Sequence, residues 1–304
     1  MHKIFIDGRA GTTGLRIEQR LNNRRDIELL RLPEDQLFNT HARAEMLNTA
    51  DVSFLCLPDD AAREAAALTT NPASVIIDAS TAHRTQPSWA YGIPELGAAF
   101  RTAIQTGKRI AGPGCHSSGF IALVKPLVDS GLLQKDAQLS CLSLTGYTGG
   151  GLAAIAKYED PSRTRGDDLS APMQYALEQQ HKHLPEMTTF TGLTHAPVFC
   201  PIIADYDCGM EVTVPLHGKS RFAVLACYQE FYANAAMIRA SEGLGSRPAS
   251  HMRGRDSMEI TVEGHDDRLL LVARFDNLGK GACGAAIQCM NLAIGADESE
   301  GLVV

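Results

Sequence analysis

The sequence lacks features that would each assign it to a particular class of protein. No apolar run reaches the ~18 residues that a membrane-spanning helix needs. The eight cysteines are scattered and form no Cys-x-x-Cys pair, so neither a zinc ribbon nor a disulfide framework is indicated. The formal net charge of −7 argues against a general nucleic-acid-binding protein. We therefore expect no metal, no membrane and no nucleic acid among its partners.

The N-terminal segment also lacks the pattern of a secretory signal. A short apolar run over residues 3–6 leads directly into the glycines of residues 8–14, without a long apolar core or a small-residue cleavage site. We therefore expect a cytoplasmic protein. Its 304 residues, 44% of them apolar, can bury a large core, and by a prior of roughly 100–200 residues per domain they predict about two domains.

Short apolar segments and helix-like segments alternate through the first 80 residues. The predicted strands are Lys3–Asp7, Ile27–Arg31, Asp51–Leu57 and Val75–Ala79. The predicted helices between them are Leu15–Leu21, His41–Thr49 and Ala61–Leu68. Such alternation is typical of βαβ units, and it predicts an α/β fold with a parallel sheet covered by helices.

A glycine-rich loop follows the first predicted strand and opens the first predicted helix. Gly8, Gly11 and Gly14 form a G-x-x-G-x-x-G pattern with Thr12 and Thr13 inside it. In this position glycines let backbone N–H groups and the helix N-terminus approach a pyrophosphate, which favours a dinucleotide site. A purely structural glycine turn is the alternative.

The end of the second predicted strand bears on the choice between NAD and NADP. An acidic side chain there would bind the ribose hydroxyls, whereas an arginine suits a 2′-phosphate. Here the strand ends in Arg31, and Glu28 comes too early. This favours NADP(H), the alternative being that Arg31 is only a solvated charge.

Cys115 lies where the alternation ends. It follows Gly114 and precedes an apolar run, so we expect it just before a helix N-terminus, with Ser117 and Ser118 in N-cap positions. Pro126 is expected to bend or shorten that helix. The positive end of a helix dipole stabilises a thiolate, which is the reactive form. The local pattern alone leaves a catalytic cysteine and a structural one about equally supported.

A series of motifs resembles N-acetyl-gamma-glutamyl-phosphate reductase of the shorter type, within the aspartate-semialdehyde dehydrogenase-like superfamily. The motifs run in the same order along most of the chain: Asp78–Arg84 (DASTAHR), Tyr91–Leu96 (YGIPEL), Gly112–Cys115 (GPGC), His181–Glu186 (HKHLPE) and Asp276–Ala282 (DNLGKGA).

This resemblance implies the domain organisation. It predicts a Rossmann-type NADP-binding domain over residues 1–114, completed by the C-terminal segment 281–304 with a helix over 281–295. It also predicts an α+β catalytic and oligomerisation domain of the semialdehyde dehydrogenase type over residues 115–280. A homodimer or homotetramer is expected.

The resemblance also implies the reaction and the residues that carry it. NADPH would reduce N-acetyl-L-glutamyl 5-phosphate to the 5-semialdehyde, in arginine biosynthesis, through a thioester on Cys115. His181 and His183 would handle the proton, with His183 favoured and His116 a weaker candidate. Arg84 would grip the phosphate, the alternative being a surface ion pair. Asn277 would contact the nicotinamide, the alternative being a structural turn.

Other functions remain open from the sequence. A thiol hydrolase would need Cys115 but not the glycine loop, and a redox-sensing regulator would keep the loop without turnover. Within the reductases, an aspartyl phosphate or a carrier-linked aminoadipyl phosphate could replace the substrate, because the sequence does not define the acyl chain.

Overall fold

A computed structural model describes residues 1–164, 166–243 and 245–304 of the chain. The chain forms two compact units. Unit 1 contains Met1–Pro113 and Ala282–Leu302, and unit 2 contains Gly114–Gly281 and Val303–Val304. Among the described residues, no helix is both long and apolar enough to cross a membrane.

Unit 1 begins with alternating strands and helices, as predicted. Its elements up to Pro113 are β1 (His2–Asp7), α1 (Thr12–Leu21), β2 (Ile27–Leu30), α2 (Thr40–Thr49), β3 (Val52–Leu55), α3 (Asp59–Leu68), β4 (Val75–Asp78), β5 (Ala90–Tyr91), α4 (Ala98–Thr106) and β6 (Arg109–Ala111). The four strands and three helices expected in the first 80 residues are all present, with ends shifted by one to three residues.

The six strands form one parallel sheet in the order β2-β1-β3-β4-β6-β5. Both faces are covered: Ile4 and Ile6 of β1 belong to one apolar cluster and Phe5 to another. The chain winds in opposite directions from β1 and β3, so the carboxyl ends of these two strands define the switch point where such sheets bind ligands. The glycine loop leaves β1 at this edge.

Unit 2 is built around a larger mixed sheet. Its elements in chain order are α5 (Cys115–Asp129), β7 (Ser140–Gly146), α6 (Gly151–Tyr158), β8 (Met173–Gln174), α7 (Leu184–Thr191), β9 (Val198–Ala204), β10 (Met210–His217), α8 (Arg221–Phe231), β11 (Ile238–Glu242), β12 (Met258–His265) and β13 (Arg268–Phe275). The strand order is β11-β12-β13-β10-β7-β9-β8, with β7/β9 and β11/β12 parallel and the other pairs antiparallel.

Helix α5 packs closely on the inner face of this sheet. A Cβ atom at Gly119 would come within 2.6 Å of Val212 Cγ2, so only glycine allows the approach to β10. Phe120 and Leu123 of α5 share one apolar cluster with Val212 and Phe275. The nucleophile candidate at the start of α5 is therefore carried by a rigid, buried helix.

Pro126 neither breaks nor shortens α5, contrary to the expectation from the sequence. A proline lacks the N–H that would bond to the carbonyl four residues earlier, here that of Ala122. The Tyr232 hydroxyl donates a hydrogen bond to that carbonyl at 2.7 Å and takes the place of the missing amide. The helix therefore continues to Asp129.

The last helix of the chain, α9 (Gly284–Ile294), belongs to unit 1. It is shorter than the predicted 281–295, because residues 279–283 form a π-helical turn before it. Ile287 and Met290 of α9 share an apolar cluster with Ile4 of β1 and Val52 of β3.

Candidate active site

Cys115 is the first residue of α5, and Gly114 is the N-cap. The thiol is partly buried and lies at the positive end of a 15-residue helix. A Cβ atom at Gly281 would come within 2.9 Å of Cys115 Cβ, so the DNLGKGA segment lies directly against the cysteine. The sequence placed Cys115 correctly at a helix N-terminus, with an error of one residue.

Ser117 and Ser118 are not N-cap residues, which corrects the prediction. Both lie inside the first turn of α5, fully buried, and both hydroxyls donate to the Gly114 carbonyl at 2.9 Å. The helix starts two residues earlier than an N-cap at Ser117 requires, because Gly114 already has extended backbone angles. These hydroxyls fix the turn that presents Cys115.

Glu186 of α7 holds the same turn from the other side. One of its carboxylate oxygens accepts hydrogen bonds from the Gly114 N–H at 2.9 Å and from the Ser117 hydroxyl at 2.8 Å. Its side chain is 1% exposed. Sequence reasoning included Glu186 in the HKHLPE motif but gave it no role.

His116 is buried and both of its ring nitrogens are engaged. Nδ1 lies 2.6 Å from the Ser143 hydroxyl, and Nε2 lies 2.7 Å from the Tyr175 hydroxyl. Burial, and after it the neighbouring His181, lowers the pKa of His116 to about 3. His116 is therefore neutral at physiological pH and serves as a fixed bridge between two hydroxyls.

His181 and His183 lie beside each other as the sequence predicts, although their segment is a turn rather than an extended strand. Their ring centroids are 4.6 Å apart, and each lies within 6 Å of the His116 ring. The His183 backbone N–H donates to His181 Nδ1 at 3.1 Å. In the neutral ring, His181 consequently carries its proton on Nε2. His183 is 4% exposed, whereas His181 is only partly buried.

The segment that leads to His181 is anchored to the edge of β9. The Gln179 side-chain amide donates to the Phe199 carbonyl and accepts from the Phe199 N–H, both at 2.8 Å, as a neighbouring strand would. Ala176 and Gln179 have left-handed backbone angles, with φ of 51° and 58°. Non-glycine residues rarely adopt this conformation, and such strain persists where the surroundings enforce it. Sequence reasoning missed this segment and Tyr175 on it.

Asn277 is buried in unit 2, and both ends of its amide bind other loops. Oδ1 accepts from the Gly209 N–H at 2.9 Å, and Nδ2 donates to Thr148 Oγ1 at 3.1 Å. These bonds support the structural interpretation of Asn277. Its contact with a nicotinamide stays a prediction.

The glycine loop of unit 1 has the geometry that a dinucleotide requires. Gly8 has a φ of 85°, and a Cβ there would lie 2.3 Å from the Cys56 carbonyl oxygen. A Cβ at Gly14 would lie 2.7 Å from the Gly8 carbonyl oxygen. At Gly11 the nearest atom would be 3.5 Å away, an ordinary contact, and its φ is −76°. The fold does not itself need glycine at position 11, whereas a closely approaching ligand does.

Thr12 and Thr13 form the first turn of α1, as the motif predicts. The Thr12 hydroxyl oxygen is buried and has no hydrogen-bond partner within the described parts of the chain. A buried polar atom of this kind at a helix N-terminus fits the binding of a phosphate group. The loop therefore passes a structural test for the cofactor that the sequence predicts.

Arg31 directly follows β2 and lines a cavity of about 430 Å³ together with Gly8 and Gly11. Its side chain is 49% exposed, and its Nε donates to Glu18 at 3.0 Å. Arg31 is thus both half-solvated and part of the wall of the predicted nucleotide site.

Arg84 is buried rather than solvated, so a surface ion pair does not describe it. It is 8% exposed, and its Nη2 donates to the Ala79 carbonyl at 3.1 Å. Asp78, at the carboxyl end of β4, accepts from His83 Nδ1 at 2.7 Å and from the Ser80 hydroxyl at 2.8 Å. The DASTAHR motif is therefore organised around one buried carboxylate.

Comparisons with known proteins agree with this arrangement. The family description "Semialdehyde dehydrogenase, NAD binding domain" matches residues 30–104, and "Semialdehyde dehydrogenase, dimerisation domain" matches residues 115–277. Among solved structures, aspartate semialdehyde dehydrogenase II of Vibrio cholerae has a TM-score of 0.75 at 14% identity. That match covers 97% of this chain and 98% of the other, and it confirms the fold.

Relatives in sequence identify the family. N-acetyl-gamma-glutamyl-phosphate reductase 2 of Pseudomonas putida is 39% identical, over 98% of this chain and 98% of that protein. N-acetyl-gamma-glutamyl-phosphate reductase of Brucella ovis is 44% identical, over 96% of this chain and 99% of that protein. The chain therefore belongs to the N-acetyl-gamma-glutamyl-phosphate reductase family.

Proposed function

We infer that the protein catalyses the NADPH-dependent reduction of N-acetyl-L-glutamyl 5-phosphate to N-acetyl-L-glutamate 5-semialdehyde and phosphate, in arginine biosynthesis. Full-length relatives of that name, 39% and 44% identical, support this reaction. The observation that carries it is Cys115 at the N-terminus of α5, adjoined by three imidazole rings in the same unit.

Cys115 is the proposed nucleophile. Its thiolate attacks the acyl carbon of the substrate, a C–S bond forms, and the bond to the phosphate oxygen breaks. The helix N-terminus stabilises the thiolate. When bound, NADPH supplies the hydride that reduces the acyl group. The C–S bond then breaks, the aldehyde forms, and the thiolate is regenerated.

His181 and His183 are the proposed proton-handling residues. Reduction leaves negative charge on the former carbonyl oxygen, and a donor that stabilises and protonates it contributes about 10²–10⁴-fold in rate. The sequence favours His183 for this role, but the greater burial of His183 favours His181 as the ring that meets the substrate. The bond from the His183 N–H to His181 Nδ1 directs the proton of the neutral His181 ring to Nε2.

The proposed cofactor-binding residues comprise the glycine loop, one arginine and one asparagine. They are Gly8, Gly11, Thr12, Thr13, Gly14, Arg31 and Asn277. Arg31 supports a preference for the 2′-phosphate of NADPH. Arg84 is the proposed phosphate-binding residue for the substrate, since a guanidinium binds phosphate oxygens in pairs.

We propose in addition that the protein is a homodimer or homotetramer assembled through the outer face of the unit 2 sheet. Leu142 on β7, Val198 on β9 and Leu270 on β13 are exposed by 41%, 58% and 46%, and the strand register places them on one face. Helices α5 and α8 pack on the opposite face. An exposed apolar sheet face of this kind marks an interaction surface.

The reaction is tested by measuring NADP reduction in the reverse direction, with N-acetylglutamate semialdehyde plus phosphate against the aspartate analogue. We expect turnover with the N-acetylglutamate compound and little with the aspartate analogue. Preference for the aspartate analogue, or for a carrier-linked substrate, would assign the protein to a related acyl phosphate instead.

The nucleophile is tested in the same assay. Cys115→Ala removes the only atom that can form the thioester, so kcat should fall by roughly 10³-fold or more while NADPH still binds. The matched control is Cys227→Ala, which changes a partly buried thiol of α8 in the same unit. Near-normal turnover of Cys115→Ala would refute the mechanism, and so would equal losses in the two variants.

A further inference from the structure

Ionisable side chains of both signs line the cavity beside the glycine loop. They are Asp7, Arg9, Glu18, Arg31 and Arg43, a formal surplus of one positive charge. Asp7 and Arg43 are buried and pair with each other, with Nη2 and Oδ2 2.9 Å apart. The charges available to a ligand are therefore those of Arg9, Arg31 and Glu18.

Glu18 binds both of these arginines. It projects from α1 with its side chain 18% exposed and accepts from Arg31 Nε at 3.0 Å. Arg9 Nη1 lies 3.9 Å from the same carboxylate oxygen. Arg31 also donates from Nη2 to the Asn22 side chain at 2.9 Å. The guanidinium proposed to bind a 2′-phosphate is thus already held by a carboxylate.

A carboxylate in this place acts differently on the two nicotinamide cofactors. A 2′-phosphate carries about −1.5 to −2 charges at pH 7, so Glu18 repels it and competes with it for the arginines. A free 2′-hydroxyl is instead a hydrogen-bond donor, for which a carboxylate is a good acceptor. Removing the charge of Glu18 would leave the arginines in surplus by one further positive charge.

We propose that Glu18 is a specificity-determining residue that restrains the preference of this site for NADPH over NADH. The inference rests on the proposed function, since it takes the cavity to be the site of the adenosine ribose. It makes Glu18 an antagonist of Arg31 and Arg9 toward phosphate, in addition to a partner that orients them.

The test uses fragments that isolate the 2′-phosphate and measures binding rather than turnover. The dissociation constants of 2′,5′-ADP and 5′-AMP are determined by calorimetry for the wild type and for Glu18→Gln. Glutamine keeps the size of the side chain and an oxygen that can accept from Arg31. We expect 2′,5′-ADP to bind about 10-fold more tightly to the variant, and 5′-AMP to bind equally or more weakly. The gain should shrink at high salt.

The matched control is Glu28→Gln, which removes an exposed carboxylate on β2 that does not line the cavity among the described residues. Its ratio of the two constants should equal that of the wild type. Unchanged or weaker binding of 2′,5′-ADP to Glu18→Gln would overturn the proposal and leave Glu18 with an orienting role only. If the wild type binds neither NADPH nor 2′,5′-ADP, the proposed cofactor itself is wrong, and the inference falls with it.

Discussion

The carboxylate of Glu186 shows how one residue can control the position of another that is distant in sequence. It accepts from the Gly114 N–H and the Ser117 hydroxyl, which flank Cys115 in the first turn of α5. Catalytic groups need to be held within about 0.5 Å of their productive positions. Glu186 is therefore a positioning residue for the nucleophile.

We expect Glu186→Ala to lower kcat by roughly 10-fold or more and the free energy of unfolding by about 1–3 kcal/mol, because a buried backbone N–H loses its acceptor. Glu186→Gln keeps an acceptor oxygen and should lose much less of both. Steady-state kinetics and urea unfolding measure these effects, and alkylation by iodoacetamide checks that Cys115 remains accessible. Equal losses in the two variants would show that the charge of Glu186 matters, rather than its bonds.

Residues such as Glu186 mark the limit of what the sequence can predict at this scale. Cys115, Arg31 and the glycine loop were found because each depends on neighbours along the chain, at a strand end or a helix start. The bonds of Glu186 span 72 and 69 residues, and the partners of His116 are 27 and 59 residues away. No local pattern encodes such pairs. The burial that separates His181 from His183 has the same origin.

At the scale of elements, the local pattern fails where a tertiary contact compensates a local defect. The alternating strands and helices of unit 1 were predicted well, since hydrophobic periodicity dominates there. In α5 the local rule for Pro126 was wrong, because the Tyr232 hydroxyl satisfies the carbonyl that the proline leaves without an amide. Tyr228 similarly donates to the Leu123 carbonyl at 2.6 Å.

This explanation of α5 predicts a double-mutant result. Tyr232→Phe should lower the free energy of unfolding by about 1–3 kcal/mol, since the Ala122 carbonyl is left buried without a donor. In a Pro126→Ala background the new backbone N–H supplies that donor, so the same substitution should have a clearly smaller effect. Urea unfolding of the four proteins measures the coupling. Equal effects in both backgrounds would mean that the hydroxyl does not replace the missing amide.

At the scale of the whole molecule, the sheet of unit 2 gives a prediction for assembly. Its outer face carries Leu142, Val198 and Leu270, and the family description that matches residues 115–277 is a dimerisation domain. A glutamate at Leu142 would place a charge inside the proposed interface. We expect Leu142→Glu to shift the protein toward the monomer in light scattering, whereas Phe222→Glu, on exposed α8, should not. A monomeric wild type, or no shift in Leu142→Glu, would contradict the interface.

The stability of the molecule should also depend on pH through His116. In the folded protein its pKa is lowered to about 3, against an ordinary value of 6.5. Between these values the unfolded chain binds one proton more than the folded chain, so the free energy of unfolding decreases as the pH falls through this range. The decrease contributed by one such group approaches about 1.4 kcal/mol per pH unit. Above pH 6.5 both states are neutral at this residue, and the contribution is constant.

The variant His116→Asn isolates this contribution, because it removes the titrating ring while other histidines remain. Between pH 6 and pH 4, we expect the free energy of unfolding to fall less steeply in the variant than in the wild type, by roughly 1 kcal/mol per pH unit. Asp26, whose pKa is lowered to about 2 by its hydrogen bond with Arg24, loses its contribution only below pH 3.8, outside this window. Parallel slopes in urea unfolding would mean that His116 takes up its proton in the folded protein, and that the bridge between Ser143 and Tyr175 is not held by a neutral ring.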